Sequence, residues 1–303
     1  MRLPRFPALF LPHVALACAM LVWSSSFVAL KVGLAGFTPL EVMGLRMSVA
    51  ALVFAPVLPG LWRTARRHGL WGWLVLMAFC EPCLYFLCEI HALRYTSAAQ
   101  AGMVVAMLPL TVAVAAWVFL GERVNWRVWL GFGLALGGVL WLSYGAIRTE
   151  NAPNPWLGNA LEAAAMCCAT GYTVLMKRLS TRYSPLQLTA AQCLVGMVFF
   201  VPLAALPLGA STLPLPLDLP RWAPLAAVVY LGVFVTMGGY GLYSYGVSRL
   251  TASQGAAYTN LIPVLTLAMG VFWLHEAFAP AQYAASALVV AGVVLSQKGQ
   301  GAA

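Results

Sequence analysis

The sequence contains few charged residues. Lysine, arginine, aspartate and glutamate make up 8% of its 303 residues, against about 25% in soluble proteins, and apolar residues make up 62%. A soluble globular protein is therefore excluded. With spans of about 20 residues and short connections, the chain has room for at most about eleven membrane crossings and none for a large domain outside the membrane.

Several chemical motifs are also missing. There is no Walker A motif, so ATP is not the direct energy source, and no G-x-S-x-G or H-E-x-x-H motif typical of enzymes. The seven cysteines lie inside apolar runs, which argues against a disulfide framework. Cys80 and Cys83 form a C-x-x-C without the strand and helix of a redox motif, and apolar packing is favoured there over a soft-metal site. We expect no catalytic residue, cofactor or bound metal.

Ten apolar runs, separated by proline, glycine and charge, are what the sequence has instead. Runs of this length predict helices that cross a bilayer, and hence an all-α integral membrane protein. The predicted helices span residues 12–35, 39–59, 70–92, 96–120, 126–145, 156–177, 185–206, 222–246, 251–274 and 280–297.

The basic residues between the runs predict the orientation. If the N-terminus is cytoplasmic, twelve lysines and arginines fall on the cytoplasmic side, four fall on the other side, and Arg46 lies inside the membrane. The positive-inside rule then places both termini and the 61–69 loop in the cytoplasm. This distribution accounts for the formal net charge of +9, so we expect no binding of nucleic acid.

The two halves of the chain match each other. The matched pairs are Lys31 with Lys177, Pro39 with Pro185 and Arg46 with Gln192 at an offset of 146 residues, and Ala98 with Ala252, Gln100 with Gln254, Pro109 with Pro263, Glu122 with Glu276 and Gly138 with Gly292 at an offset of 154. The sequence thus predicts two five-helix repeats, at 8–146 and 156–298. Because five is odd, the second copy is inverted in the membrane, and a binding site is expected near the midplane between the copies.

These features resemble the drug/metabolite transporter superfamily, EamA type. The resemblance rests on the ten helices in two copies, LVWSSSFVALKVGL in helix 1, Pro39 and Arg46 in helix 2, HALRYTSAAQAGMVVAMLPL across helices 3 and 4, and LGERV at 120–124 echoed by LHEAF at 274–278. It covers nearly the whole chain. It implies a carrier of the bacterial inner membrane, often an exporter of amino acids or other small metabolites, with a central cavity lined largely by helices 1, 3, 4, 6, 8 and 9.

Ionisable residues inside the apolar runs are candidates for function, because a charge at the bilayer centre costs at least about 2.5–3.5 kcal/mol. Glu81, Tyr85 and Glu89 follow one another at four-residue spacing, so they form one polar stripe on helix 3. Such a stripe facing a cavity predicts binding of a cation or an amine, and a buried carboxyl can also carry a proton. The structural alternative is a buried pair of Glu81 with Arg46.

The other charged residues of the runs are predicted to be structural. Glu41 and Glu162 lie within the first two turns of helices 2 and 6, where a carboxylate favours the positive helix end. Lys31 and Lys177 lie near opposite membrane faces and are expected to extend to water. Two mirrored residues at helix ends are expected to anchor the membrane interface: Glu122 and Glu276.

Polar and aromatic residues complete the predicted site. The candidate cavity residues are Trp23, Gln100, Gln254, Tyr258, Tyr240 and Tyr243, some of which interfacial anchoring explains equally well. Proline removes a backbone hydrogen bond and glycine loosens a helix, so both mark places where a membrane helix can bend. The candidate hinge residues are Pro82, Pro109, Pro263, Gly238 and Gly239.

Together these features predict a secondary carrier and not an enzyme. It exports a small amphipathic metabolite, amino-acid-like or amine-like, by alternating access, with a proton as the candidate coupling ion. Another cargo on the same fold, such as a lipophilic drug, a lipid headgroup or a metal, is the alternative, and an intramembrane enzyme is the weaker one. The expected partners are the small molecule and the lipid bilayer, with the chain a monomer or a homodimer.

Overall fold

A computed structural model describes residues 6–120, 125–144, 149–150, 152–206, 219–250, 255, 258–276 and 279–300. Over these ranges the protein is built from helices, which confirms the predicted all-α fold class. The ten helical segments are α1 Phe6–Leu34, α2 Pro39–His68, α3 Trp71–Tyr95, α4 Ala98–Val105 followed by Leu108–Leu120, α5 Trp126–Tyr144, α6 Pro155–Leu179, α7 Pro185–Ala204, α8 Ala223–Arg249, α9 Tyr258–Leu274 and α10 Pro280–Gln300.

The outer surface of the helices fits a membrane. Six segments, α1 to α4 with α7 and α8, are long and apolar enough to cross a bilayer, and α5 and α9 contain shorter apolar stretches. Large apolar side chains are exposed along them. Exposed tryptophans lie near helix ends, where aromatic residues meet the membrane interface: Trp73, Trp126, Trp156 and Trp222.

Helix α2 is longer than predicted. It was expected to end at residue 59, but it continues to His68 and ends at Gly69, whose φ of 64° is left-handed. In the segment Leu58–His68, Leu61 and Ala65 are buried while the arginines are exposed. Basic side chains in the last turn of a helix interact favourably with its dipole. The polar composition that predicted a 61–69 loop therefore belongs to an amphipathic helix end.

Equivalent caps begin α2 and α7. The Thr38 side chain accepts a hydrogen bond from the Glu41 backbone N–H, and the Glu41 carboxylate accepts one from the Thr38 N–H. Ser184 and Gln187 make the same two bonds at α7. The caps lie 146 residues apart, which is one of the offsets between the repeats, and Glu41 has the structural role predicted for it.

The packing of α5 on α10 shows how the halves are related. A Cβ added at Gly138 would lie 2.9 Å from the backbone N of Val289, and one added at Gly292 would lie 2.7 Å from the backbone N of Ala135. At the offset of 154, Gly138 matches Gly292 and Ala135 matches Val289, so the two contacts are the same contact with α5 and α10 exchanged. Ala135 meets Gly292 and Gly138 meets Val289, so residue numbers rise along α5 where they fall along α10, and the two helices are antiparallel. The two-fold axis is therefore perpendicular to them, as inverted repeats require.

The same symmetry governs the rest of the bundle. Helix α2 packs on its counterpart α7, and α4 packs on α9. The pairing of α1 with α8 is repeated by the pairing of α6 with α3. The two five-helix repeats thus interlock along their whole length, with α1, α3, α6 and α8 around the centre.

Two equivalent lysines differ in burial. Lys31 Nζ donates to the Thr96 carbonyl oxygen at 2.8 Å, and Lys177 Nζ donates to the Leu250 carbonyl oxygen. Lys31 is only 1% exposed, so the expectation that it extends to water was wrong. The backbone carbonyl at the turn between α3 and α4 is close enough to hold it inside the protein. Lys177 is partly exposed.

Candidate functional site

Helices α3 and α8 are both broken near their middle. A π-helical segment, Phe79–Leu84, interrupts α3, and another, Leu231–Gly239, interrupts α8. Glu81 has extended dihedral angles (φ −148°, ψ 116°), and the Glu81–Pro82 peptide bond is cis. Because Pro82 has no backbone N–H, regular helical hydrogen bonding cannot continue through it. The predicted hinge at Pro82 thus coincides with a break that holds Glu81.

A narrow cavity lies beside these breaks, between the two repeats. Its volume is about 40 Å³, which is room for about three water molecules. Helices 1, 3, 4, 6, 8 and 9 line it, together with one residue of α2. Seven of the ten candidate site residues are on its wall: Trp23, Arg46, Glu81, Tyr85, Glu89, Tyr240 and Tyr243.

Two other candidates, Gln100 and Tyr258, lie off the cavity wall. Gln100 is buried outside the cavity, and its side-chain oxygen accepts a hydrogen bond from Asn159. Tyr258 also lies off the cavity wall, with its hydroxyl 2.6 Å from Nδ1 of His13. Gln254 falls outside the described residues.

Helix 6 was expected to line the cavity, but none of its residues was among the candidates. Tyr172 is 1% exposed and its ring centroid lies 6.1 Å from that of Tyr240 and 6.5 Å from that of Tyr243. Met166 and Thr173 also line the cavity. The repeat could have indicated these residues, because at the offset of 146 Tyr172 and Thr173 match Ser26 and Phe27 of α1, which also line the cavity.

The two acidic residues of the cavity are each held by a phenol. Tyr240 Oη donates a hydrogen bond to Glu81 Oε1, and Tyr85 Oη donates one to Glu89 Oε1 at 2.8 Å. Glu81 is 5% exposed and Glu89 is 3% exposed. The predicted polar stripe of α3 therefore faces a buried cavity, and the hydrogen bonds fix the direction of both carboxylates.

Arg46 lies close to these acids without pairing to them. Its Nε donates to Thr236 Oγ1 at 2.8 Å, and its Cζ lies 4.0 Å from the ring centroid of Phe86. Across the described ranges no ion pair joins Arg46 to Glu81, and its Nη1 has no hydrogen-bond partner. The alternative of a buried Glu81–Arg46 pair is therefore not what the structure contains. A buried guanidinium N–H group at a cavity wall can bind a carboxylate.

Aromatic rings also line the cavity. The ring centroid of Trp23 lies 5.0 Å from that of Tyr240 and 4.8 Å from that of Tyr243. A Cβ added at Gly239 would lie 2.5 Å from Trp23 Nε1, so only glycine allows this approach. Trp23 Nε1 has no hydrogen-bond partner among the described residues. These aromatic residues thus give the cavity flat apolar faces.

The remaining hinge candidates lie at helix starts or in open space. Pro109 is in the first turn of Leu108–Leu120, and Pro263 is in the first turn of Leu261–Leu274. A proline at that place costs little, because its missing N–H would have had no partner within the helix. A Cβ added at Gly238 would meet no atom within 4 Å.

Two other acidic residues have surroundings that differ from those predicted. Glu276 accepts hydrogen bonds from the backbone N–H groups of Ala98 at 2.8 Å and Ala99 at 3.0 Å, so it caps α4 instead of anchoring the interface. Glu162 is 0% exposed, and neither of its carboxylate oxygens has a hydrogen-bond partner in the described ranges. It lies beyond the first turn of α6, out of reach of the free N–H groups that would have stabilised it. Glu122 falls outside the described residues.

Comparison with known proteins gives a consistent result. The pattern of the EamA-like transporter family matches residues 11–144 and 156–297. "Uncharacterized transporter YetK" of Bacillus subtilis is 25% identical over 94% of this chain and 86% of its own. "Probable terminal-alkyne amino-acid exporter" of Streptantibioticus cattleyicolor is 29% identical over 93% and 91%. "Probable amino-acid metabolite efflux pump" of Escherichia coli is 26% identical over 91% of each chain.

A solved crystal structure shares the fold. The alignment has a TM-score of 0.65 at 22% sequence identity, and it covers 95% of this chain and 96% of the other. The arrangement of helices described above is therefore one that an experimental structure also adopts.

Proposed function

Since the chain belongs to the EamA-like transporter family, we propose that it is a secondary active transporter that exports a small amphipathic, amino-acid-like metabolite by alternating access. The observation that carries the proposal is the buried cavity between the repeats. It is lined by a guanidinium group whose Nη1 has no hydrogen-bond partner among the described residues, by two carboxylates and by aromatic rings.

The charges of the cavity match a zwitterion. Burying an ionised group is costly unless it meets an opposite charge and hydrogen-bond partners. An α-amino acid has a carboxylate for Arg46 and an ammonium group for Glu81 or Glu89, and its side chain can lie against Trp23 and Tyr240. A simple amine, the alternative cargo, would leave the guanidinium without a partner.

The size of the cavity fits an occluded conformation. A volume of about 40 Å³ holds about three water molecules, so cargo enters only when the repeats move apart. The breaks in α3 and α8 place irregular backbone at the centre of both moving halves, as in other carriers with inverted repeats. Two relatives are named as exporters of amino-acid compounds, which supports the proposed direction.

The proposed setting is a bacterial inner membrane with both termini in the cytoplasm. Its support is the division of basic residues, twelve on one side and four on the other. The partners proposed for this role are the lipid bilayer, the small-molecule cargo and a proton as the coupling ion.

A binding screen with matched ligands tests the proposal. The purified protein is heated with each standard amino acid, and each amino acid that stabilises it is compared with the corresponding amine and the corresponding carboxylic acid. We expect the amino acid to stabilise the protein more than either fragment. The hit is then followed as flux into proteoliposomes.

Arg46→Gln is the informative variant, because glutamine is the residue at the equivalent position 192. We expect it to weaken amino-acid binding about tenfold or more, the effect of losing a charge-assisted hydrogen bond of about 1.5–3 kcal/mol, while amine binding is retained. A screen without an amino-acid hit, or a variant that weakens both ligands equally, would contradict the proposal.

A further inference from the structure

Glu162 is a buried acid that the substrate cavity does not use. It is 0% exposed, both of its carboxylate oxygens have no hydrogen-bond partner among the described residues, and it does not line the cavity. An unpartnered ionised carboxylate in such a place is strongly disfavoured. Its presence on α6 therefore requires a bound cation or proton.

The side chains that face Glu162 are on α3. A Cβ added at Gly158 would lie 2.9 Å from the Ala92 carbonyl oxygen, and one added at Gly171 would lie 3.3 Å from Cys80 Sγ, so α6 runs antiparallel along α3. Glu162, one turn after Gly158, therefore lies beside the turn of α3 that contains Cys88 and Glu89. Glu89 in turn faces Arg46 of α2 and accepts the hydrogen bond of Tyr85. The two carboxyls thus interact with each other, and only Glu89 also reaches the cavity.

We infer that Glu89 and Glu162 form a proton-binding pair, and that the proton and the ammonium group of the cargo compete for it. This inference rests on the proposed function. Two neighbouring carboxylates in an apolar interior repel each other, and one shared proton removes that repulsion. Glu89 is the member of the pair that lines the cavity. An ammonium group bound to Glu89 therefore supplies the positive charge in place of the proton. The proton is then released.

A proton fits this place better than a metal ion. Sodium, calcium and magnesium need several oxygen ligands, whereas a proton needs one. In the part of the chain that the structure describes, no group of three or more His, Cys, Asp or Glu side chains is placed to hold a metal. Glu89 and Glu162 lie within the helices Tyr85–Tyr95 and Pro155–Leu179, whose backbone carbonyls are largely engaged in helical hydrogen bonds.

A network of polar side chains lies between the pair and one membrane face. Asn159, one turn before Glu162 on α6, donates to Ser143 Oγ at 2.8 Å and to Gln100 Oε1 at 3.2 Å. Thr96 Oγ1 donates to Asn159 Oδ1 at 2.8 Å. This network lies where α3 ends and α6 begins and makes no hydrogen bond to Glu162, so it lines part of a route between that face and the pair. Gln100 belongs to this route and not to the cargo cavity.

The coupling that follows is an exchange. A proton from water at one face forms an O–H bond with a carboxylate oxygen of the pair, and that bond breaks when cargo binds from the other side. The proton leaves to water and no further reactant is needed. Because the coupling between two ligands is reciprocal, cargo must lower the affinity for the proton by the same factor by which the proton lowers the affinity for cargo.

Infrared spectroscopy of the protein in lipid vesicles tests the pair without cargo. Between acidic and alkaline buffer we expect the C=O band of a protonated carboxylic acid to appear and disappear, and to be lost in Glu162→Gln and in Glu89→Gln. Glu41→Gln is the matched control, because it removes an exposed carboxyl group outside the pair. Glutamine can still cap α2, as Gln187 caps α7. A band unchanged in both pair variants, or one displaced by sodium at constant pH, would overturn the inference.

Proton release on binding tests the competition. In weakly buffered solution containing a pH dye, an amino acid identified by the thermal screen should release protons from the wild-type protein and from Glu41→Gln. Glu162→Gln should bind the same amino acid and release none. Unchanged release from Glu162→Gln would refute the pair, whereas absence of any amino-acid binding would refute the proposed function and leave the infrared result to stand.

Discussion

Replacing Glu81 with glutamine separates cargo binding from folding. Tyr240 Oη donates to Glu81 Oε1, and the amide oxygen of glutamine can accept the same bond. A hydrogen bond to a charged group contributes about 1.5–3 kcal/mol and a neutral one about 0.5–1.5 kcal/mol, so about 1 kcal/mol is lost. Removing a charge from a site that is 5% exposed offsets part of this loss. We expect the free energy of unfolding to change by less than about 1 kcal/mol.

The structural alternative gives a different magnitude. If Glu81 served to neutralise Arg46, its loss would leave a buried cation and lower the free energy of unfolding by about 3–5 kcal/mol. Thr236 and Phe86 already hold the guanidinium, so we expect no such loss. Tyr240→Phe is the control: it leaves a carboxylate oxygen without its donor and should cost about 1–3 kcal/mol. This variant should therefore be less stable than Glu81→Gln.

Both properties are measured on one preparation. Unfolding in mixed detergent micelles gives stability, and proteoliposomes loaded with the amino acid found by the thermal screen give flux. We expect Glu81→Gln to keep its stability and to fall below about a tenth of the wild-type flux, the effect of losing one charge-assisted bond of about 1.5–3 kcal/mol. Unchanged flux, or a stability loss beyond about 3 kcal/mol, would refute the reasoning.

Two further predictions concern the fold. Gly138→Ala should lower the free energy of unfolding by about 1–3 kcal/mol, because the added Cβ would lie 2.9 Å from the Val289 backbone. Gly137→Ala is the control and should be neutral, because no atom lies within 4 Å of its added Cβ. Equal melting temperatures of the two variants would contradict the contact of α5 with α10. Single cysteines replacing the exposed residues Arg66 and Glu150 in a cysteine-free background should react with an impermeant reagent from opposite sides of the membrane, and reaction of both from one side would contradict the proposed orientation.

The fold could be predicted because its determinants are long and repeated. Each membrane helix has an apolar run, and matched residues such as Gly138 and Gly292 revealed the duplication. The end of α2 was misjudged because the segment Leu58–His68 keeps only a narrow buried face. A polar stretch after an apolar run has the same composition whether it is a loop or an amphipathic helix end.

The site was harder to predict than the fold. Glu81 and Glu89 could be found because charge is rare in the interior of a membrane protein. Tyr172 was missed because the sequence does not distinguish an aromatic residue that faces a cavity from one that faces lipid. Gln100 and Glu162 were misjudged because the position of a residue along a helix indicates only its depth in the membrane. Which side chains it contacts depends on how the two repeats pack.

The unequal burial of Lys31 and Lys177 has a consequence for the energy of the transport cycle. In the alternating-access cycle proposed above, exchanging the conformations of the two inverted copies would give a mirrored state with Lys177 enclosed and Lys31 partly exposed. If the copies were identical in sequence, the two states would have equal free energy. Any difference in free energy between the two states therefore arises from positions where the copies differ in sequence, such as Arg46 and its counterpart Gln192. A difference of a few kcal/mol at such positions is enough to leave the minor state at about 0.1–10%, within reach of one bound cargo molecule.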